Sequence, residues 1–298
     1  MRILLFGANG QVGTELRCSL APLGEVVATT RGGTLDDGNP CEVADFDAPD
    51  SLPALIEGVA PDVVVNAAAY TAVDRAESDR DAAFRANAEA PARIAAACAA
   101  RGARLIHYST DYVFDGHGTR PYREDDPTQP AGVYGASKRA GEEAIAATGA
   151  DHLILRTAWV YAAHGKNFLR TMLRLAAERD RLRVVADQTG TPTSAALIAD
   201  VTALALAKPA LSGIRHLTAA GQTTWHGFAE AIVAGAHARG LLARVVPVDP
   251  IATVDYPTPA ARPAYSVLDT SRLAADLGAG LPDWTAGLAM ILDDARLR

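Results

Sequence analysis

The 298 residues are 49% hydrophobic and 21% charged, the proportions of an ordinary globular chain long enough for one large domain or two smaller ones. A net charge of −7 with scattered Lys and Arg leaves no basic stripe for a nucleic-acid partner, and no apolar run approaches the ~20 residues that span a bilayer. Three widely separated cysteines, Cys18, Cys41 and Cys98, and the lack of a signal-like stretch before the first strand suit a reducing cytoplasm better than a disulfide framework.

The apolar run Arg2–Phe6 predicts a buried strand ending at Gly7, with Gly10 and Gly13 following at three-residue steps and a helix over Val12–Ala21. Strand, glycine turn and helix start suit a dinucleotide pyrophosphate, because the glycines let backbone approach the phosphates and the new helix offers unpaired N–H groups. A lone glycine triplet is weak; its place at the head of an alternating chain gives it weight. Strands are predicted over Val26–Thr30, Asp62–Asn66, Ala103–Ser109 and His152–Arg156. Helices are predicted over Ser51–Val59, Arg80–Arg101 and Val133–Thr148, with Arg101-Gly102 as a stop signal. The alternation predicts an α/β fold: a Rossmann-type doubly wound parallel sheet that collects ligands at the carboxyl ends of its strands. Beyond about residue 158 the pattern loosens. Helices over Asn167–Arg179, Ala195–Ala207, Trp225–Arg239 and Trp284–Leu297 are joined by Pro-rich connectors. Residues 1–158 are therefore expected to bind the dinucleotide. Residues 159–298 are expected to form mainly a smaller substrate-binding domain, open to elements that return to the first sheet.

The second strand ends at Thr29-Thr30-Arg31, with no carboxylate where one about 20 residues past the glycine turn binds the adenine ribose of NAD. An arginine there accommodates a 2′-phosphate, so NADPH is the expected cofactor, with NADH also accepted. Tyr134-Gly-Ala-Ser-Lys138 opens its helix with two side chains on one face. A lysine ammonium beside a phenol favours the phenolate and lowers the tyrosine pKa, which suits proton exchange with a carbonyl oxygen. In an arbitrary protein such a pair is a solvated helix face. Here the strand ending at Ser109 delivers the Thr110 hydroxyl to the same sheet edge, where it can donate to that oxygen.

Gly7, Gly10 and Gly13 with Thr110 and Tyr134-x-x-x-Lys138 resemble the extended short-chain dehydrogenase/reductase family. Longer segments are similar to its branch acting on dTDP-linked 4-keto sugars: Asn66–Asp74, Ser109–Gly116, Val133–Lys138, Arg156–Tyr161, Asp187–Pro192, and Tyr256–Ala260 with Arg262-Pro263. The likeness covers nearly the whole chain. It implies reduction of C4 of dTDP-6-deoxy-L-lyxo-4-hexulose to dTDP-L-rhamnose by a reduced nicotinamide cofactor. In that scheme Tyr134 protonates the oxyanion, Lys138 lowers the tyrosine pKa and bonds the nicotinamide ribose, and Thr110 polarises the carbonyl. Asp111 and Trp159 match positions that touch the deoxysugar. Gly10, Gln11 and Val12 match the pyrophosphate turn; Ala69, Tyr70, Thr71 and Tyr108 match other cofactor contacts. Glu42 and Val43 match an Asp-plus-apolar adenine contact, with the carboxylate lengthened.

The seven histidines form no metal-ligand spacing, so no metal residue is assigned and His107 reads as a core histidine. Some relatives form a magnesium-linked dimer; no acidic cluster here demands the ion, and both monomer and homodimer stay open. Asp74, Glu77, Asp79 and Asp81 read as a solvated helix start. The competing readings are an epimerase or dehydratase on the same scaffold, with Asp111 as the extra acid/base, and a non-catalytic NADP-binding regulatory subunit.

Overall fold

The computed structural model describes residues 1–297. Six strands in chain order are β1 (Arg2–Phe6), β2 (Glu25–Thr30), β3 (Glu42–Val43), β4 (Val63–Asn66), β5 (Arg104–Thr110) and β6 (His152–Thr157). With Gly213–His216 they form one seven-stranded sheet in the order Gly213–His216, β6, β5, β4, β1, β2, β3, and every neighbouring pair is parallel. All of β4 and β5 is buried, as expected of strands covered on both faces.

The helices of this part are α1 (Gln11–Leu20), α2 (Leu52–Val59), α3 (Val73–Ala76), α4 (Arg80–Phe84), α5 (Ala90–Arg101) and α6 (Val133–Ala147). Val63, Val65, Ile106 and Leu155 pack one sheet face against Leu16 and Leu20 of α1 and Ile198 of the Ala195–Leu206 helix. Leu4, Val64, Leu105 and Ile154 pack the other against Ile56 of α2, Ile94 of α5 and Ile145 of α6. A single helix predicted over Arg80–Arg101 is interrupted by a π turn at Arg85–Glu89. The buried Asn87 sits in that turn. Its amide donates to the Tyr70 carbonyl at 3.0 Å and to Ser137 Oγ at 3.0 Å, while its Oδ1 accepts from Tyr70 N at 2.9 Å. One extra residue in the turn thus ties the loop after β4 to α6, and π turns recur where a helix must carry such a site.

Past β6 the chain builds a second core. Helices Phe168–Glu178, Trp225–Ala238 and Trp284–Leu292 close around Tyr161, Phe228 and Ile291, beside a parallel pair formed by Leu182–Val185 and Val248–Ile251. Between these elements the Ala195–Leu206 helix covers α1 and Gly213–His216 returns to the edge of the main sheet beside β6. The last helix ends at Leu292 rather than Leu297, followed by a short 3-10 turn. Among the described residues no helix is long and apolar enough to cross a membrane.

Candidate active site

A cavity of about 960 Å³ opens over the carboxyl ends of β1, β4 and β5, where the parallel order places its loops. Its floor begins at the glycine turn. Gly7 has φ +79°, and a Cβ there meets Ala68 N at 2.7 Å; a Cβ on Gly13 meets Gly7 O at 2.0 Å. A larger residue at Gly7 collides with the backbone just past β4, and one at Gly13 forces α1 off the strand. Gly10 caps α1 without a side-chain acceptor and the first turn holds no acid, so the first N–H groups face the cavity unspent. That cradle fits a dinucleotide diphosphate.

Opposite it stand the groups of β5 and α6. Thr110 Oγ1 donates to Asp111 Oδ1 at 2.9 Å and accepts from Tyr112 N at 3.2 Å. Burial pushes the Asp111 carboxyl up to about 6, against the pull of the Ser266 and Thr110 hydroxyls. Tyr134, in the first turn of α6, meets the Thr110 hydroxyl and packs edge-on against Tyr112, ring centres 5.6 Å apart. Its pKa is raised by burial, not lowered; Lys138, one turn on, points its Nζ into the sheet, 2.6 Å from the Tyr108 carbonyl oxygen and 3.3 Å from His107 Nε2. Burial brings Lys138 down to about 8, with Glu142 opposing. Glu142 is itself held by Arg156 in a buried two-pronged pair of 2.8 and 2.7 Å between α6 and β6.

The far wall is aromatic. Trp159 lies face to face on Trp225 at 3.6 Å and 6°. Its backbone is left-handed at φ +48°, a conformation costing about 1–2 kcal/mol for a non-glycine residue. Gly190 makes room for the indole, since a Cβ there falls 2.4 Å from Trp159 Cε2.

The sequence matches the family described as the RmlD substrate binding domain over residues 1–297. It is 52% identical to a dTDP-4-dehydrorhamnose reductase of Burkholderia thailandensis, across 99% of both chains. The chain belongs to the dTDP-4-dehydrorhamnose reductase family. Two solved relatives share its shape: a dTDP-4-dehydrorhamnose reductase from Clostridium acetobutylicum (TM-score 0.89, 36% identity, 98% of this chain and 99% of that one) and one from Bacillus anthracis in complex with NADP (0.88, 33%, 97% and 98%).

Within this reductase-family cavity the structure gathers Gly7, Gly10, Gln11, Val12, Arg31, Ala69, Tyr70, Thr71, Tyr108, Thr110, Asp111, Tyr134, Lys138 and Trp159 along one continuous lining. Gly13 lies behind it, packing α1 on the strand. Glu42 and Val43 are not brought there. They form an exposed edge strand beside Thr29 and Thr30, and the chain turns over the cavity only afterwards, presenting Ala44, Phe46 and Asp47. The carboxylates after β3 also meet Arg31, whose guanidinium lies 3.6 Å from Asp45 and 3.4 Å from Asp47. The acidic run is not simply solvated either. Asp74 holds Arg262 at 2.6 Å, Glu77 Oε1 accepts from Val133 N at the head of α6 at 2.9 Å, and Asp79 accepts from the Tyr70 hydroxyl at 3.1 Å. Sequence reasoning missed Trp225, Phe46, Asp47 and Lys166 as lining residues. The apolar Ala44 and Phe46 just past β3 were the available signal for a segment that turns over the cavity.

Proposed function

We propose that this chain reduces the C4 ketone of dTDP-6-deoxy-L-lyxo-4-hexulose to dTDP-L-rhamnose with NADPH, in the cytoplasm. The observation that carries it is the meeting of Thr110, Asp111, Tyr134 and Lys138 in one cavity with an uncapped helix start and a tryptophan pair. When bound, the dinucleotide supplies the hydride. The free N–H groups of Gln11 and Val12 would hold its diphosphate and Arg31 its 2′-phosphate, while the Gly10 N–H closes the turn onto the Gly7 carbonyl at 2.9 Å. Tyr134 is held as a phenol by burial, the form that gives a proton to the C4 oxygen. Thr110 spends its hydrogen on Asp111 here, so polarising the carbonyl requires that hydrogen to turn toward the sugar. The stacked Trp159 and Trp225 offer an apolar wall to the deoxysugar.

A dehydratase needs a further acid beside Thr110, and Asp111 with its raised pKa is the observation that favours this second reading. Tyr134→Phe tests the first. It should keep NADPH binding and lose about 10²–10⁴ of turnover, the usual worth of a placed proton donor. A near-normal kcat removes Tyr134 from the acid role.

A further inference from the structure

We propose that His107 holds Lys138 as a neutral amine in the unliganded protein, acting as a positioning residue for the amine. The argument is a chain of hydrogen bonds whose direction is fixed at one end. Ala68 N donates to Asn66 Oδ1 at 3.1 Å, and a backbone N–H can only donate, so Oδ1 is the acceptor. The Asn66 Nδ2 amide therefore faces His107 Nδ1, 3.1 Å away. An amide nitrogen can only donate as well, so Nδ1 carries a lone pair. The single hydrogen of a neutral imidazole then sits on Nε2, 3.3 Å from Lys138 Nζ. An ammonium there sets N–H against N–H. A neutral amine instead accepts from Nε2–H and still donates to the Tyr108 carbonyl oxygen at 2.6 Å.

The surroundings agree. His107 is 1% exposed, and burial drives the ring well below its usual pKa, so no imidazolium forms. From α6 the acid facing Lys138 is Glu142, whose two oxygens are already taken by Arg156 of β6. β5 supplies His107 and the Tyr108 carbonyl to the amine, and from β4 the Asn66 amide reaches His107; Asp111, past the end of β5, acts on the Tyr134 phenol.

The test is a pH titration of unliganded protein labelled with 13C at the lysine ε-carbon, in which Lys138, Lys166 and Lys208 are the resonances to assign. Lys138 should inflect near 8 rather than near the ordinary ~10.4. His107→Gln supplies an amide oxygen that can accept from an ammonium, and should raise the inflection by a unit or more. Asn66→Asp reverses the chain from the other end: the carboxylate accepts from Nδ1–H, Nε2 becomes the acceptor, and the inflection again rises. If His107→Gln does not fold, Asn66→Asp carries the test alone. A Lys138 that inflects at the ordinary value in the parent, or does not move in the folded variants, overturns the proposal. Because no substrate is present, that result is independent of whether the chain reduces this sugar.

Discussion

Replacing Asp111 by asparagine should stabilise the protein above neutral pH while damaging the site. The folded-state carboxyl is raised by burial from 3.8 to about 6, and each unit of difference is worth 1.36 kcal/mol, so keeping Asp111 ionised costs about 3 kcal/mol of folding free energy. The sign follows from the direction of the shift. A carboxyl that binds its proton more tightly when folded contributes stability in full below about pH 4, and loses it as pH rises to 6 and beyond. Asparagine carries no such ionisation and its Oδ1 still accepts from Thr110. The advantage of Asp111→Asn over the parent should therefore be larger at pH 7.5 than at pH 4.5 by most of that ~3 kcal/mol, on the order of 5 °C in Tm for a chain of this size. Urea unfolding of both proteins at the two pH values measures it. A stability difference that stays constant with pH refutes the burial argument, whatever its average size.

Arg31→Ala should lower kcat/KM for NADPH by up to roughly tenfold, the factor a charge-assisted hydrogen bond of about 1.5 kcal/mol supplies, and leave NADH nearly untouched; steady-state kinetics with both cofactors decide it, and equal losses defeat the phosphate assignment. Because Asp45 and Asp47 already partner this arginine, Asp47→Ala should increase the preference for NADPH, read in the same assay. Trp159→Ala should raise KM for the keto sugar far more than KM for the cofactor, and an unchanged sugar KM reduces the indole to packing.

Much of the site was legible because its signals are local. Arg2–Phe6 with Gly7, Gly10 and Gly13 encodes a strand, a turn and a helix start within a dozen residues, and the Tyr134 and Lys138 spacing encodes a shared helix face. What escaped depends on distant partners. The two-residue edge strand Glu42–Val43 has no apolar alternation to mark it, so its place outside the cavity lining is not legible in the sequence. Trp225 reads as an ordinary helix start until it stacks on Trp159 in the cavity wall. The effect of Lys138 on Tyr134 was read from proximity along one helix, whereas burial and the pull of β5 on the amine set the outcome. Likewise Arg31 looks unopposed in sequence, because its carboxylate partners arrive only after the chain has formed β3 and turned back.

The most direct measurement supplies the purified chain with dTDP-6-deoxy-L-lyxo-4-hexulose and NADPH, follows absorbance at the reduced nicotinamide band, and identifies the sugar nucleotide formed. The account predicts one NADPH oxidised per dTDP-L-rhamnose produced, with both falling together in Tyr134→Phe. Conversion of the sugar with no net oxidation of the cofactor, as an epimerase or dehydratase that regenerates its own cofactor gives, contradicts it.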